Sequence, residues 1–425
     1  MSHSVTVDSK PLVPRGDLMA WVVCLSAGLF FLYEFFQLNI FDVINQPLRR
    51  DFAINATQLS WMSSAYLWAD ILFLLPAGII LDRFSTRKVI FLSMLVCVLG
   101  TVGFALTHNF LMACFFHSLT GIGNAFCFLA CIVLVSHWFP PRRQALVVGS
   151  LVTMAFVGGM MAHTPFAYLY HAVGWRNALL IDGAVGALLL GWIYFIVRDT
   201  PSGALPRESA SKGSVVPGLL HALSNRQNWL AGLYTAVLNL PIMVLCALWG
   251  ASYLQVVHHL SERMASNTVS LIFLGSIIGC PLVGWLSDRQ GKRKPLMIAG
   301  AIATLLALIP LFIQTTLSVA ALSLIFFSLG FFSSTQVISY PLISESNTLE
   351  NTGASTGIAS IIIMGGAGVG QIVFGWLMTH HAQTNHYSVA DFQYALWMFP
   401  VAALAALIAI LLTRETHCKR YNIGE

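Results

Sequence analysis

Apolar runs of helix length, separated by short polar breaks, cover most of this 425-residue chain. About 20 apolar residues are needed to cross the hydrocarbon core of a bilayer. Twelve segments meet that length: 18–41, 59–81, 89–107, 110–135, 145–170, 178–197, 229–255, 269–286, 295–314, 317–343, 353–378 and 392–412. The longest polar gap, 198–228, carries Pro201, Ser202, Gly203, Pro206, Ser209, Ser211 and Gly213 and divides the segments six and six. It reads as a linker between two bundles. The predicted fold is an all-α membrane protein with twelve transmembrane helices in two six-helix bundles. Residues 1–17 are a tail, 18–197 the first bundle, 198–228 the linker, 229–412 the second bundle and 413–425 a second tail.

Composition agrees. Hydrophobic residues make up 57% and charged residues 9%, with mean hydropathy +0.76. A soluble domain carries roughly 25% charged residues, so a soluble globule is excluded. Of eight cysteines, all but Cys418 fall in apolar segments, as buried free thiols do. No cleavable signal peptide is expected, because the first apolar run is too long for one.

Lysine and arginine set the orientation. With the N-terminus inside, 18 of the 22 basic residues fall on the inner side; Arg49, Arg50, Arg176 and Arg263 fall outside. The net charge of +5 then reflects the anionic inner leaflet, not nucleic acid.

One charged pattern occurs twice. Gly78, Asp82, Arg83, Arg87 and Lys88 recur 206 residues later as Gly284, Asp288, Arg289, Arg293 and Lys294. A duplicated loop in an apolar chain implies two homologous halves, the layout of a repeat-built secondary transporter. Orientation requires only basic charge; an aspartate in both copies adds a hydrogen-bonding partner. Asp82, Arg83, Arg87, Asp288, Arg289 and Arg293 are therefore expected to form a gate that latches the inner ends of the bundles.

Ionisable residues inside a membrane are costly and mark function by default. The predicted spans hold Glu34, Asp70 and Asp182, with His117 and His163, all in the first half. At 1.5 Å rise per residue, Asp70 lies about 18 Å from Asp82 and Glu34 about 24 Å from the inner surface. Glu34, Asp70 and His117 are expected to share one layer and to handle a proton, since burial favours a neutral carboxyl and His117 is a suitable partner. Asp182 and His163 are expected near the outer mouth. Asp70 corresponds to Ser276 across the repeat, so the acid is not a scaffold requirement. Gln37 shares a helix face with Glu34, and Asn124 shares one with His117. Thr235, Asn239, Cys246 and Trp249 are placed on one face of the seventh helix, and Gln336 and Gln371 add amides. Gln37, Asn124, Asn239, Trp249, Gln336 and Gln371 are the expected substrate-cavity residues, with interhelical hydrogen bonding as the rival account. Gly365-Gly366-Ala367-Gly368-Val369-Gly370 lies in an apolar helix and fits close helix packing, not nucleotide binding. No enzyme constellation, metal site or cofactor is expected.

The two charged loops resemble the signature loop of the major facilitator superfamily. Phe139-Pro140-Pro141-Arg142-Arg143, Gly174-Trp175-Arg176 and Arg198-Asp199-Thr200-Pro201 extend the resemblance along the chain. Tyr33-Glu34-Phe35-Phe36 and Asp51-Phe52-Ala53-Ile54-Asn55-Ala56-Thr57 resemble the phagosomal-transporter branch of intracellular bacteria, which imports amino acids and nucleosides. The chain departs from the family patterns with His117 where many members have arginine, Leu38 near another arginine position, and Asp70 at an aromatic position. A cavity with acids and no fixed cation fits a cationic, zwitterionic or neutral polar solute. The buried acids and the resemblance together predict a monomeric, proton-coupled importer of a small polar nutrient, working by alternating access in a bacterial inner membrane. Alternatives are a proton-driven exporter of organic cations, a siderophore importer, or a transport-silent sensor.

Overall fold

The computed structural model describes residues 16–139, 141–200, 220, 222–313, 317–348, 352–382 and 387–419. The tail before residue 16, most of the expected linker and the last six residues lie outside them. The first half comprises α1 (Gly16–Val43), the short α2 (Asn45–Asp51), α3 (Ala56–Arg83), α4 (Thr86–Leu106), α5 (Phe110–Trp138), α6 (Pro141–Met161) continued by α7 (Thr164–Val173), and α8 (Trp175–Ile196). The second half opens with α9 (Arg226–Leu238), a π-helical stretch (Pro241–Trp249) and α10 (Gly250–His258). Next come α11 (Glu262–Gln290), α12 (Lys294–Leu308), α13 (Pro310–Ile313) and α14 (Val319–Ser333). A 3₁₀ stretch (Ser334–Ile338), α15 (Ser339–Glu345), α16 (Thr352–His381), α17 (Val389–Leu396) and α18 (Met398–Leu412) complete the chain. Among the described residues no strand occurs. Eleven helical stretches among the described residues are long and apolar enough to cross a membrane. The 28-residue α3 fills the remaining expected position. The protein is a multi-pass membrane protein.

Polar caps start the helices where the sequence turns. Asn55 and Gln58 form a capping box on α3, Ser85 accepts from the Lys88 N–H to start α4, and Asn109 caps α5. Helices then pack where side chains are absent. A Cβ on Gly121 (α5) would come within 2.1 Å of the Tyr66 carbonyl (α3); one on Gly330 (α14) would come within 1.9 Å of the Ile272 carbonyl (α11). Backbone meets backbone there, as in small-residue packing between membrane helices. Gly366 and Gly370 instead make room for the side chains of Ala236 and Leu240 against α16.

The two halves meet at one end and part at the other. Along α3 and α16, a Cβ on Gly375 would strike Ser60 at 2.2 Å, one on Gly368 would reach Trp68 at 3.5 Å, and one on Gly365 would reach Ile71 at 3.8 Å. Further along the same faces, Gly78 and Gly357 have nothing within 4 Å. The α6–α11 seam repeats this: Gly159 is tight against Phe273, while Gly149 and Gly284 face open space. The closed end is pinned across the seam. The Thr57 hydroxyl bonds the Gly375 carbonyl (3.2 Å) and the Thr379 hydroxyl (2.9 Å), and the Asn45 amide donates to the Leu248 carbonyl (2.6 Å). His171 pairs with Glu262 at 3.1 Å. Arg49, Arg50, Arg176 and Arg263 sit at this closed end, and the duplicated basic loops sit at the open end.

Candidate functional site

The polar layer forms where the helices begin to part. Asp70 lies on α3 between Trp68 and Ile71, at the level where α3 leaves α16. Glu34, from the middle of α1, is fully buried. Its Oε2 accepts from the Tyr66 hydroxyl at 3.0 Å. Its Oε1 abuts Gly123 of α5, where a Cβ would come within 2.2 Å. Glycine at 123 therefore makes room for the carboxyl, and Asn124 beside it interacts with Asp70. Asp182 of α8 completes the layer. It accepts from the Gln37 amide, and the Tyr33 hydroxyl contacts both its Oδ2 and its carbonyl at 3.3 Å. Three carboxyls from three helices are thus buried together, held by Tyr33, Tyr66, Gln37 and Asn124. Among the described residues, none of their hydrogen-bond partners is a cation. The ionised form is expensive in such a setting, so these groups are suited to carrying a proton.

His117 does not join them. Its ring stacks on Phe41 (centroids 4.3 Å apart), with Tyr66 and Phe104 alongside. Nδ1 lies 3.3 Å from the Thr120 hydroxyl. The expected pairing of His117 with Glu34 or Asp70 is absent, because the aromatic cage separates them.

One placement near the mouth is corrected. Asp182 is buried and bonded to α1, since α8 starts at Trp175 and carries it two turns inward. His163 lies near the outer end of α1, as expected, but is buried, with Nδ1 3.6 Å from Asp42. Asp42 is itself a buried acid that the predicted span 18–41 stopped one residue short of; α1 continues to Val43. Both Asp42 carboxylate oxygens accept from the Ala251 N–H (2.9 and 3.1 Å), tying α1 to α10 across the closed seam.

The second half answers with neutral groups. Gln336 donates to the Asn239 side chain at 3.0 Å, Thr235 bonds Ser339, and Gln371 donates to the Met243 carbonyl at 2.8 Å. The single predicted face holding Thr235, Asn239, Cys246 and Trp249 does not exist, because the π-helical stretch from Pro241 changes the register. Trp249 lies instead in an aromatic cluster with Phe374, Tyr387 and Phe392. Gln371 thus bonds the backbone inside the π-helical stretch.

At the open end the duplicated loops bind within each half. Arg293 bonds Asp288 and Glu345, both at 2.6 Å. Arg289 stacks on Trp285. Arg87 lies over Tyr194 with its guanidinium 4.9 Å from the ring centroid, and Arg83 is exposed. The Asp82 side chain lies outside the described residues. Each half also supplies an acid from beyond its last helix: Asp199 accepts from the Arg87 N–H (2.7 Å), and Glu415 from the Arg293 and Lys294 N–H groups (both 2.9 Å). Burial works against ionised Glu415, but these backbone donors outweigh it and hold the carboxyl below its ordinary range. Arg198-Asp199-Thr200 and Arg414-Glu415-Thr416 are thus a second duplicated element, legible once the structure assigns them the same task.

A family model described as Major Facilitator Superfamily matches residues 24–370 and again 251–424. The chain belongs to the Major Facilitator Superfamily. It is a secondary transporter, not an enzyme. Among relatives of this superfamily member, the probable sulfoacetate transporter SauU of Cupriavidus necator is 24% identical, covering 94% of each chain. The probable galactarate/D-glucarate transporter GarP of Escherichia coli is 22% identical over 96% of each. A probable hexose phosphate transport protein of Chlamydia muridarum is 23% identical over 71% of this chain and 73% of its own. Among solved structures, a bacterial homolog of the human lysosomal transporter Spinster, inward-facing and unoccupied, superposes with a TM-score of 0.73. It is 17% identical and covers 93% of this chain and 95% of its own.

Proposed function

We propose that this superfamily member is a proton-coupled importer of a small polar solute in a bacterial inner membrane, acting as a monomer. Residues 18–197 rock against 229–412 about the polar layer. The open end, which bears the basic loops, is the cytoplasmic end by the positive-inside bias, so the conformation described is inward-facing. Glu34, Asp70 and Asp182 carry the proton; Gln37 and Asn124, with Asn239, Gln336 and Gln371 across the seam, supply hydrogen bonds to the solute. Asp82, Arg83, Arg87, Asp288, Arg289 and Arg293 then exchange their contacts within each half for contacts across the seam when the inner end shuts.

The observation that carries this reading is the cluster of three buried carboxyls with no cation, at the level where the seam opens. The relatives' names point to acidic or phosphorylated, hydroxyl-rich solutes, and that cargo replaces the amino acids and nucleosides of the phagosomal branch. A protonated carboxyl donates hydrogen bonds to such a solute, where an ionised one would repel it. The same cluster favours one rival, a proton-driven exporter of organic cations.

Uptake into proteoliposomes under an imposed proton gradient tests both. Accumulation of labelled D-glucarate or glucose 6-phosphate on acidifying the donor side, lost in Glu34→Gln, supports import. Gradient-driven movement of an organic cation such as tetraphenylphosphonium against the proton flow, with no anion uptake, supports the rival. Uptake that ignores the gradient and survives Glu34→Gln removes proton coupling from this site.

A further inference from the structure

Asp42 is a buried acid outside the central polar layer. It ends α1 at the shut end of the seam, where both its carboxylate oxygens accept from the Ala251 N–H of the other half. Ala251 lies in the first turn of α10, where unpaired N–H groups and the helix dipole favour a negative charge. The carboxylate has this partner only while the two halves are together.

His163 faces the same carboxylate. It stands at the break between α6 and α7 and is fully buried. Among the described residues neither ring nitrogen has a hydrogen-bond partner, and Nδ1 lies 3.6 Å from Asp42 Oδ2. The ring packs on Phe273 of α11, again from the other half. A proton on the imidazole turns this contact into an ion pair with no net charge, the state a buried site tolerates best.

Other titratable groups surround the pair. Cys246 of the π-helical stretch is electrostatically coupled to Asp42, but a thiol titrates above neutral pH. Glu34 and Asp182 are bonded within the central layer, and His117 lies in its aromatic cage. Helix α2 carries Arg49 and Arg50 with Asp51, which accepts from Trp175; Arg176 of α8 lies 3.9 Å from Asp51. On α10, His258 bonds Tyr253, and on α11, Arg263 lies over Tyr168. His171 and Glu262, paired across the same seam, are the one rival source of pH sensitivity at this end that the test must separate.

We infer that Asp42 and His163 form a second proton-binding site, which holds one proton while this end of the seam is shut and is exposed to water when it opens. Opening removes Ala251 and Phe273 together, since both belong to the other half. In water the imidazole titrates at about 6.5 and the carboxyl at about 3.9. Below about pH 6.5 the open pair keeps its single proton, so shutting changes nothing. Above that value the open pair has lost the proton, and shutting must take one up. The shut state is therefore favoured by acid and disfavoured as pH rises. The proton enters and leaves on one side of the membrane. The pair thus biases conformation by the acidity on that side and carries no proton across, whatever the central layer transports.

The test is hydrogen exchange of the full-length protein in nanodiscs, read by mass spectrometry with the chemical exchange rate divided out. Protection over 246–258 should fall about 25-fold from pH 6 to pH 8. In Asp42→Asn the imidazole has no counter-ion and is buried neutral, so protection should instead rise about fourfold over that range. His163→Gln leaves an ionised carboxylate on its backbone donor and should give a flat profile; it decides the matter should Asp42→Asn fold poorly. His171→Gln and Glu34→Gln should keep the wild-type fall. A wild-type profile that is flat or rising overturns the assignment. So does an Asp42→Asn or His163→Gln profile that matches the wild type, or a fall abolished by His171→Gln or Glu34→Gln. Loss of proton-driven uptake with these profiles intact would count against the proposed function and leave the pair standing.

Discussion

The two halves of the protein share a scaffold and differ in chemistry. Both pack their fourth spanning helix onto their second through a bare glycine, Gly121 against Tyr66 and Gly330 against Ile272. Both place an arginine at the same repeat position, Arg87 and Arg293, under an acid donated from beyond the last helix. Between these shared features, the first half buries Glu34, Asp70 and Asp182, while the second pairs Asn239 with Gln336 and Gln371 with a backbone carbonyl. Duplication preserved what holds helices together. Among the described residues, the carboxyls of this central layer all come from the first half.

The sharpest way to break this contrast is to exchange the chemistry. Glu34→Gln is expected to abolish proton-driven accumulation while solute exchange without a gradient persists; Gln371→Leu should weaken solute affinity and leave coupling intact. Comparing gradient-driven uptake with counterflow in the same vesicles reads both. The shared packing is tested next. Gly121→Ala and Gly330→Ala each force a methyl onto a carbonyl oxygen and should destabilise by about 3 kcal/mol, seen as lowered thermal midpoints of similar size. A large effect in one half alone would end the case for equivalent packing.

The loops should respond unequally. The Arg293 side chain is 7% exposed and bonded to two acids, whereas Arg87 meets a ring and a carbonyl oxygen at an exposed site. Arg293→Gln should cost about 2 kcal/mol and Arg87→Gln less than about 1 kcal/mol, by thermal unfolding in detergent. Asn239→Ala, which removes the partner of Gln336, should cost about 1 kcal/mol with no change in the pH dependence of uptake. The smallest effect is at Glu415. Its folded pKa lies below the ordinary 4.5, so its contribution is complete above that value and is lost as pH falls through the lower one. The gap in thermal midpoint between wild type and Glu415→Gln should hold from pH 7 to pH 5 and shrink on further acidification.

Several features of the site were hidden by local causes. Asp42 fell outside its predicted span by one residue, because a polar residue at a helix end reads as the end. Asp182 looked shallow because its depth was counted from a helix start expected at 178, whereas α8 begins at Trp175. His117 read as a partner for acids because spacing assigns a face and not the Phe41, Tyr66 and Phe104 rings that occupy it. The face from Thr235 to Trp249 assumed 3.6 residues per turn through Pro241, where the helix widens to a π turn.

The sequence by itself determined the helical spans, the two-fold repeat, the charge asymmetry between the ends and the buried acids Glu34 and Asp70. Each of these follows from solvent and composition: apolar length must match the bilayer, basic residues sort to one face, and duplication leaves a fixed offset. Only the tertiary structure decided which end of the seam is shut, that Asp182 joins the acids while His117 does not, and that Arg87 and Arg293 bind within their own halves. Those outcomes depend on contacts between helices far apart in the chain. Periodicity along one helix names its faces and leaves its neighbours unspecified.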